Sequence, residues 1–173
     1  ETAAKAFALT DRADLVGKAI SILANKAGIY GMIGGQSVDV EYTDRPVTKS
    51  QLEFIYELKT AALLEAAMMI GAVLAGADDN QVKAAEQIAH HVGMAFQIRD
   101  DILDVISTTE ELGKPVKSDE KNNKTTYVTI YGLDGASKLV EEYSHTAMTL
   151  LDQVCPNASF LKRLFEYLIV RKK

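Results

Sequence analysis

Apolar positions recur along this chain mostly at helical spacing. Leu15, Ala19, Ile22 and Leu23 fall on one face of a segment running from about Asp11 to Tyr30, with Asp11 placed to cap it. Gly28, Gly31, Gly34 and Gly35 then interrupt the pattern. Glycine in a helix costs about 1 kcal/mol relative to alanine, so such a cluster reads as a kink, a close helix crossing or a ligand approach. Pro46 is a break, and Thr48 or Ser50 can cap the next helix. From Gln51 to Ala75 the sequence is apolar nearly all round, which predicts a central buried helix. Gly76 to Asn80 reads as a turn and cap. A second long helix is expected from about Asp79 to Ile106, with Ala85, Ile88, Ala89, Val92, Ala95, Phe96, Ile102 and Leu103 as its apolar positions.

Ser107 to Lys124 breaks the pattern with Gly113, Pro115, paired asparagines and Lys114, Lys117, Lys121 and Lys124, and is expected as a loop. Helical signals return over Tyr127–Ile130, Asp134–Leu151 and Asn157–Val170. Tyr127–Tyr131 has strand propensity, but an isolated strand has no partner. The fold class is therefore all-α, with long helices, one functional-looking loop and a single domain over residues 1–173.

Composition narrows the function classes. At 173 residues the chain can bury a real core. No stretch of about 18 residues lacks charge, so no transmembrane helix is expected. A net charge of −5 argues against nucleic acid as a partner. The single Cys155 excludes an intramolecular disulfide and points to a reducing, cytoplasmic setting.

Candidate chemistry concentrates near the end of the second long helix. In the run from Phe96 to Asp104, Gln97, Asp100, Asp101 and Asp104 stand at i, i+3, i+4 and i+7 and share a face. Carboxylates this close repel one another, and at the C-terminal half of a helix the dipole disfavours them too. A hard divalent ion such as Mg²⁺ relieves both penalties. On spacing alone a solvated acidic face is an equal reading. The lysines beyond this helix suit phosphate binding by a closing loop, or are simply solvated. Lys59, inside the apolar helix, either snorkels or faces a polar cavity. Gly34-Gly35-Gln36-Ser37-Val38-Asp39 reads as a helix kink or as a device bringing Gln36 and Asp39 to a cavity. His90 and His91 point about 100° apart, so packing explains them better than a metal pair.

Taken together and in order, these elements resemble the trans-isoprenyl diphosphate synthases, or polyprenyl synthetases. Gly34-Gly35-Gln36 with Asp39 resembles a GGQxxD segment, and Lys59-Thr60 a KT pair. Phe96-Gln97 with Asp100, Asp101 and Asp104 resembles the second aspartate-rich motif. Gly113-Lys114, Asp119, Lys124 and Thr126-Tyr127 resemble the loop C-terminal to that motif. The flavour is similar to short-chain bacterial farnesyl and geranylgeranyl diphosphate synthases.

The resemblance implies an isoprenoid-synthase helix bundle that condenses an allylic diphosphate with isopentenyl diphosphate through an Mg²⁺ cluster. It implies metal residues Asp100, Asp101 and Asp104, with Asp100 and Asp104 ligating or supporting Mg²⁺ and Asp101 nearby. Lys59, Lys114 and Lys124 would contact diphosphate oxygens, and Thr60 and Gln97 would stabilise the carbocation. Phe96 completes the implied substrate-binding set. A homodimer is implied as well. The family's first aspartate-rich motif, DDxxD, has no match here: Asp78-Asp79 lies in a turn with no arginine pair after it. The expectation is a C-terminal part of a longer synthase, truncated at the N-terminus and inactive alone. The alternative is a non-catalytic, synthase-like regulatory or partner subunit. A terpene cyclase lacks its Asn/Ser/Glu metal motif here. A di-iron bundle lacks paired Glu-x-x-His motifs, Glu86 and His90 being one residue too far apart.

Overall fold

The computed structural model describes residues 2–107 and 124–170, and every regular element among them is helical. A short α1 (Thr2–Lys5) leads through a single 3₁₀ turn to α2 (Ala13–Ala27) and α3 (Met32–Glu41). α4 (Lys49–Tyr56) runs through a π-helical turn, Glu57–Ala61, into α5 (Ala62–Leu74). α6 (Asp79–Ile106) and α7 (Tyr127–Val154) are the long members, and α8 (Ser159–Val170) closes the order.

Local chemistry sets most boundaries. Thr48 caps α4 and Asp78 caps α6, each with a glutamine three residues on that reaches back to the cap amide. Between them α5 ends on Gly76 at φ +83°, a left-handed position that lets the Ala77 amide reach Ala72 O at 3.0 Å. Thr126 caps α7, and Gly132 at φ +70° breaks it between the two helical stretches that the pattern separated.

Two expectations are corrected. Asp11 does not cap α2: the cap position is Arg12, whose amide donates to Thr10 Oγ1 at 3.1 Å, and the helix stops at Ala27 because Gly28 turns extended. Nor is the Gln51–Ala75 segment the central helix. α5 buries one face (Ala62, Glu65, Ala66, Val73) and leaves Leu63 and Leu74 exposed.

The central shaft is α6. Its Met94, Ala95, Ile98 and Ile102 form one core with Leu52, Ile55 and Tyr56 of α4 and Tyr127, Ala136 and Val140 of α7. Its Ile88 and Val92 form a second with Ala147 and Leu151 of α7 and Phe165 of α8. Burying each of the Val, Leu, Ile, Met and Phe side chains contributes roughly 1.5–3 kcal/mol. α6 is thereby held with its Gln97–Asp104 segment against the π turn and the start of α7. Among the described residues no helix is long and apolar enough to cross a membrane.

Candidate active site

The π turn is where the site begins. Two glycines let neighbouring backbone approach it. A Cβ on Gly35 of α3 would lie 2.4 Å from the Lys59 amide nitrogen, and one on Gly93 of α6 would lie 2.7 Å from both Cα and Cβ of Ala61. A π turn offsets the faces of the helices on either side of it, and such turns recur at functional sites. Here it directs Lys59 toward α3 and Thr60 toward α6.

Lys59 meets Asp39, with Nζ 2.6 Å from Oδ2. The side chain stays about a third exposed while its ammonium pairs with Asp39. Lys124, just before α7, approaches the other oxygen of the same carboxylate, Nζ–Oδ1 3.5 Å. Burial pushes the Asp39 carboxyl up, but the two ammoniums outweigh it and hold the group below the usual aspartate range. The result is two lysines around one carboxylate, a local excess of positive charge. Asp39 and Lys124 of this group face a cleft of about 410 Å³, lined also by Tyr42, Asp44, Arg45 and Val47. Gln36, which one of the two readings of its segment brought to a cavity with Asp39, is exposed on α3.

Thr60 Oγ1 donates to Gln97 Oε1 at 2.8 Å, so the KT pair and the aspartate-rich segment touch. Phe96 and Gln97 are half-buried, as is Asp100 one turn on. Asp104, at i+4 from Asp100, is 4% exposed. Asp101, also 4% exposed, is differently engaged. Tyr56 Oη donates to both of its oxygens, at 2.8 and 2.7 Å, and the Tyr127 amide donates to Oδ2 at 3.0 Å. Its carboxylate thus meets the first amide of α7, whose opening stretch runs only to the Gly132 break. Lys114 lies outside the described residues, as do Lys117, Lys121, Gly113 and Asp119. Among the described residues no group of three or more His, Cys, Asp or Glu side chains converges closely enough to hold a metal by itself.

A second ionic cluster lies on the other side of the π turn. Lys26 of α2 bridges Glu65 of α5 and Glu86 of α6, the Glu86 contact being 2.6 Å. His90 Nδ1 lies 3.1 Å from Glu65 Oε1. Glu65 is 6% exposed. Burial pushes its carboxyl up, and His90 and Lys26 together bring it below the usual glutamate range. The same bond, against the opposing effect of burial, raises His90 above the usual histidine range. Sequence reasoning assigned His90 to packing. The available signal was Glu86 and His90 at i, i+4 on one helix face, but their partners stand on two other helices.

Comparison with known proteins decides the family. The polyprenyl synthetase family model matches residues 2–158. This chain belongs to the polyprenyl synthetase family. Farnesyl diphosphate synthase of Geobacillus stearothermophilus is 38% identical over 152 residues, 88% of this chain and 51% of that protein. Geranylgeranyl diphosphate synthase of Cyanophora paradoxa is 42% identical over 130 residues, 75% of this chain and 43% of that protein. The chain therefore spans about half the length of these curated relatives. Among solved structures, a geranyltransferase from Helicobacter pylori, complexed with magnesium and isoprenyl diphosphate, superposes with a TM-score of 0.75 at 31% identity, over 90% of this chain and 51% of that one. Heptaprenyl diphosphate synthase of Staphylococcus aureus shares the fold with a TM-score of 0.80 at 22% identity, over 90% of this chain and 60% of that one. The all-α expectation and the trans-prenyltransferase family both stand on these matches.

Proposed function

We propose that the protein carrying this chain is a short-chain prenyl diphosphate synthase, condensing an allylic diphosphate with isopentenyl diphosphate. The observation that carries the reading is the pair of lysines, Lys59 and Lys124, gathered around one carboxylate beside a Thr60–Gln97 contact that leads onto the Asp100/Asp104 face of α6. An allylic diphosphate reacts by breaking its C–O bond, which leaves diphosphate and a delocalised carbocation. The double bond of isopentenyl diphosphate attacks the cation, and a proton is then lost. A site for this must hold an anionic leaving group with fixed cations and offer oriented dipoles to a hydrocarbon cation.

The chain's residues suit those tasks. Lys59 and Lys124 are ammonium donors for diphosphate oxygens, with Lys114 as a third in the same proposed role. Asp39 holds the first two in place. Thr60 and Gln97 present oxygen dipoles fixed by their mutual hydrogen bond, and the half-buried Phe96 joins the substrate-binding set by family analogy. Asp100 and Asp104 stand one turn apart, which suits Mg²⁺, an ion bound by one or two carboxylates with diphosphate oxygens and water completing its octahedron. That mode needs no all-protein cage. When bound, Mg²⁺ supplies charge neutralisation on the departing diphosphate. By the same family analogy we infer a cytoplasmic homodimer, and a 173-residue chain that does not turn over on its own.

The test is turnover by the complete protein with Mg²⁺, geranyl diphosphate and isopentenyl diphosphate, read by product mass and diphosphate release. A C5-extended product at stoichiometric diphosphate release is the expected result. Tight Mg²⁺-dependent diphosphate binding with no carbon–carbon bond formed would overturn it and favour a non-catalytic partner subunit.

A further inference from the structure

The three aspartates of the Asp100–Asp104 segment meet unequal surroundings. Asp101 is buried, and its carboxylate joins three elements: Tyr56 at the end of α4, the Tyr127 amide at the start of α7, and α6 itself. The capping box of α7, Thr126 with Thr129, is internal to that helix and does not tie it to anything else. The bond from the Tyr127 amide to Asp101 does tie it, to the shaft of the bundle. Lys124 lies three residues before Tyr127, and between them the Thr125 hydroxyl accepts from the Val47 amide at 3.3 Å. A lysine on such a short tether takes its position from where the helix start is docked.

We propose that Asp101 is a positioning residue that acts through Lys124: its carboxylate docks the N-terminus of α7 and so sets the Lys124 ammonium against Asp39 and Lys59 in the diphosphate cleft. This deepens the prenyl-transfer reading and rests on it for the identity of the anion. The chemistry demands an anion there. A carboxylate accepts from a hydroxyl and a helix-terminal amide at once, each bond strengthened by its charge. Asparagine keeps the shape but turns one acceptor into a donor facing donors, and it loses the charge.

The experiment is a double-mutant cycle in the complete protein with inorganic pyrophosphate as the probe. Pyrophosphate affinity at saturating Mg²⁺, and the Mg²⁺ concentration giving half-maximal binding, are measured by calorimetry for wild type, Asp101→Asn, Lys124→Ala and the double variant. Asp101→Asn and Lys124→Ala are each expected to weaken pyrophosphate by about tenfold, with the double variant no weaker than Lys124→Ala alone. The Mg²⁺ midpoint of Asp101→Asn stays within about twofold of wild type. A midpoint raised about tenfold, with affinity restored at high Mg²⁺, would make Asp101 a metal ligand and overturn the proposal. Effects that multiply in the double variant overturn it as well.

Should Asp101→Asn fail to fold, Tyr56→Phe removes one donor and leaves the carboxylate. It is expected to weaken pyrophosphate about threefold in wild type and not at all in a Lys124→Ala background. Equal losses in both backgrounds, or none in either, overturn the proposal. The two readings separate cleanly. Non-additive pyrophosphate binding without prenyl transfer by wild type leaves the positioning role and removes the synthase reading. Prenyl transfer with an additive cycle does the reverse. A wild type that binds no pyrophosphate ends both.

Discussion

Two ionic clusters flank the π turn, and they balance charge in opposite ways. On the α3 side one carboxylate, Asp39, serves two ammoniums, Lys59 and Lys124, and Asp39 and Lys124 line a cleft. On the α2 side two carboxylates, Glu65 and Glu86, share one ammonium, Lys26, with His90 completing the set. The first cluster keeps one positive charge beyond its carboxylate, as the proposed diphosphate site requires. The second is neutral once His90 is protonated, and it joins three helices, α2, α5 and α6. Ion pairing by itself therefore says little about function. Both clusters border clefts of about 410 Å³, so what separates them is the sign of the leftover charge.

The largest effect expected of this contrast is on chemistry, from Lys59→Met. Removing a fixed cation aimed at a developing anion costs about 10²–10³-fold in kcat/KM. The half-exposed position predicts a stability change below about 1 kcal/mol, checked by urea denaturation of the complete protein. Lys26→Met should show the converse: pyrophosphate affinity unchanged, and stability lowered by about 3 kcal/mol, because Glu65 would stay buried with a large part of its compensation gone. If Lys26→Met lost pyrophosphate binding while folding normally, the division of labour between the clusters would fail.

The smallest effect is on pH dependence. His90 is raised above its ordinary 6.5 chiefly by its bond to Glu65, so the stability it contributes is fully present below 6.5 and is lost as pH rises through the folded-state value. Glu65 is lowered below its ordinary 4.5, so its contribution is present above that value and fades only as pH falls through the folded-state value in acid. From about pH 6 to about pH 8 the urea midpoint of wild type should drop by a few tenths of a molar more than that of His90→Gln. Equal slopes would mean that the His90–Glu65 contact is not formed in solution.

Several boundaries were legible in the sequence because their causes are local. Thr48 after Pro46, Asp78 after Gly76 and the Gly132 interruption act within a turn of their own position. The Gln97-to-Asp104 face was legible too, since helical spacing makes it. The π turn was not. It depends on Gly35 and Gly93, each on another helix, arriving close to Lys59 and Ala61, and no spacing within α4–α5 announces that. The same holds for Asp101. Its neighbours Asp100 and Asp104 are chemically identical to it, and its distinguishing partners, Tyr56 and Tyr127, lie 45 and 26 residues away.

By itself the sequence determined an all-helical chain, where its last three helices lie, and the inventory of lysines, aspartates and amides a diphosphate chemistry would use. Those follow from side-chain spacing and capping, which act over a few residues. Tertiary structure alone decided the allotment: Asp39 to two lysines, Asp101 to a tyrosine and a helix terminus, Glu65 to Lys26 and His90. The physical reason is that a carboxylate's role is set by the donors that replace its lost water. Those donors come from whichever helices packing brings alongside, however far off in the chain they lie.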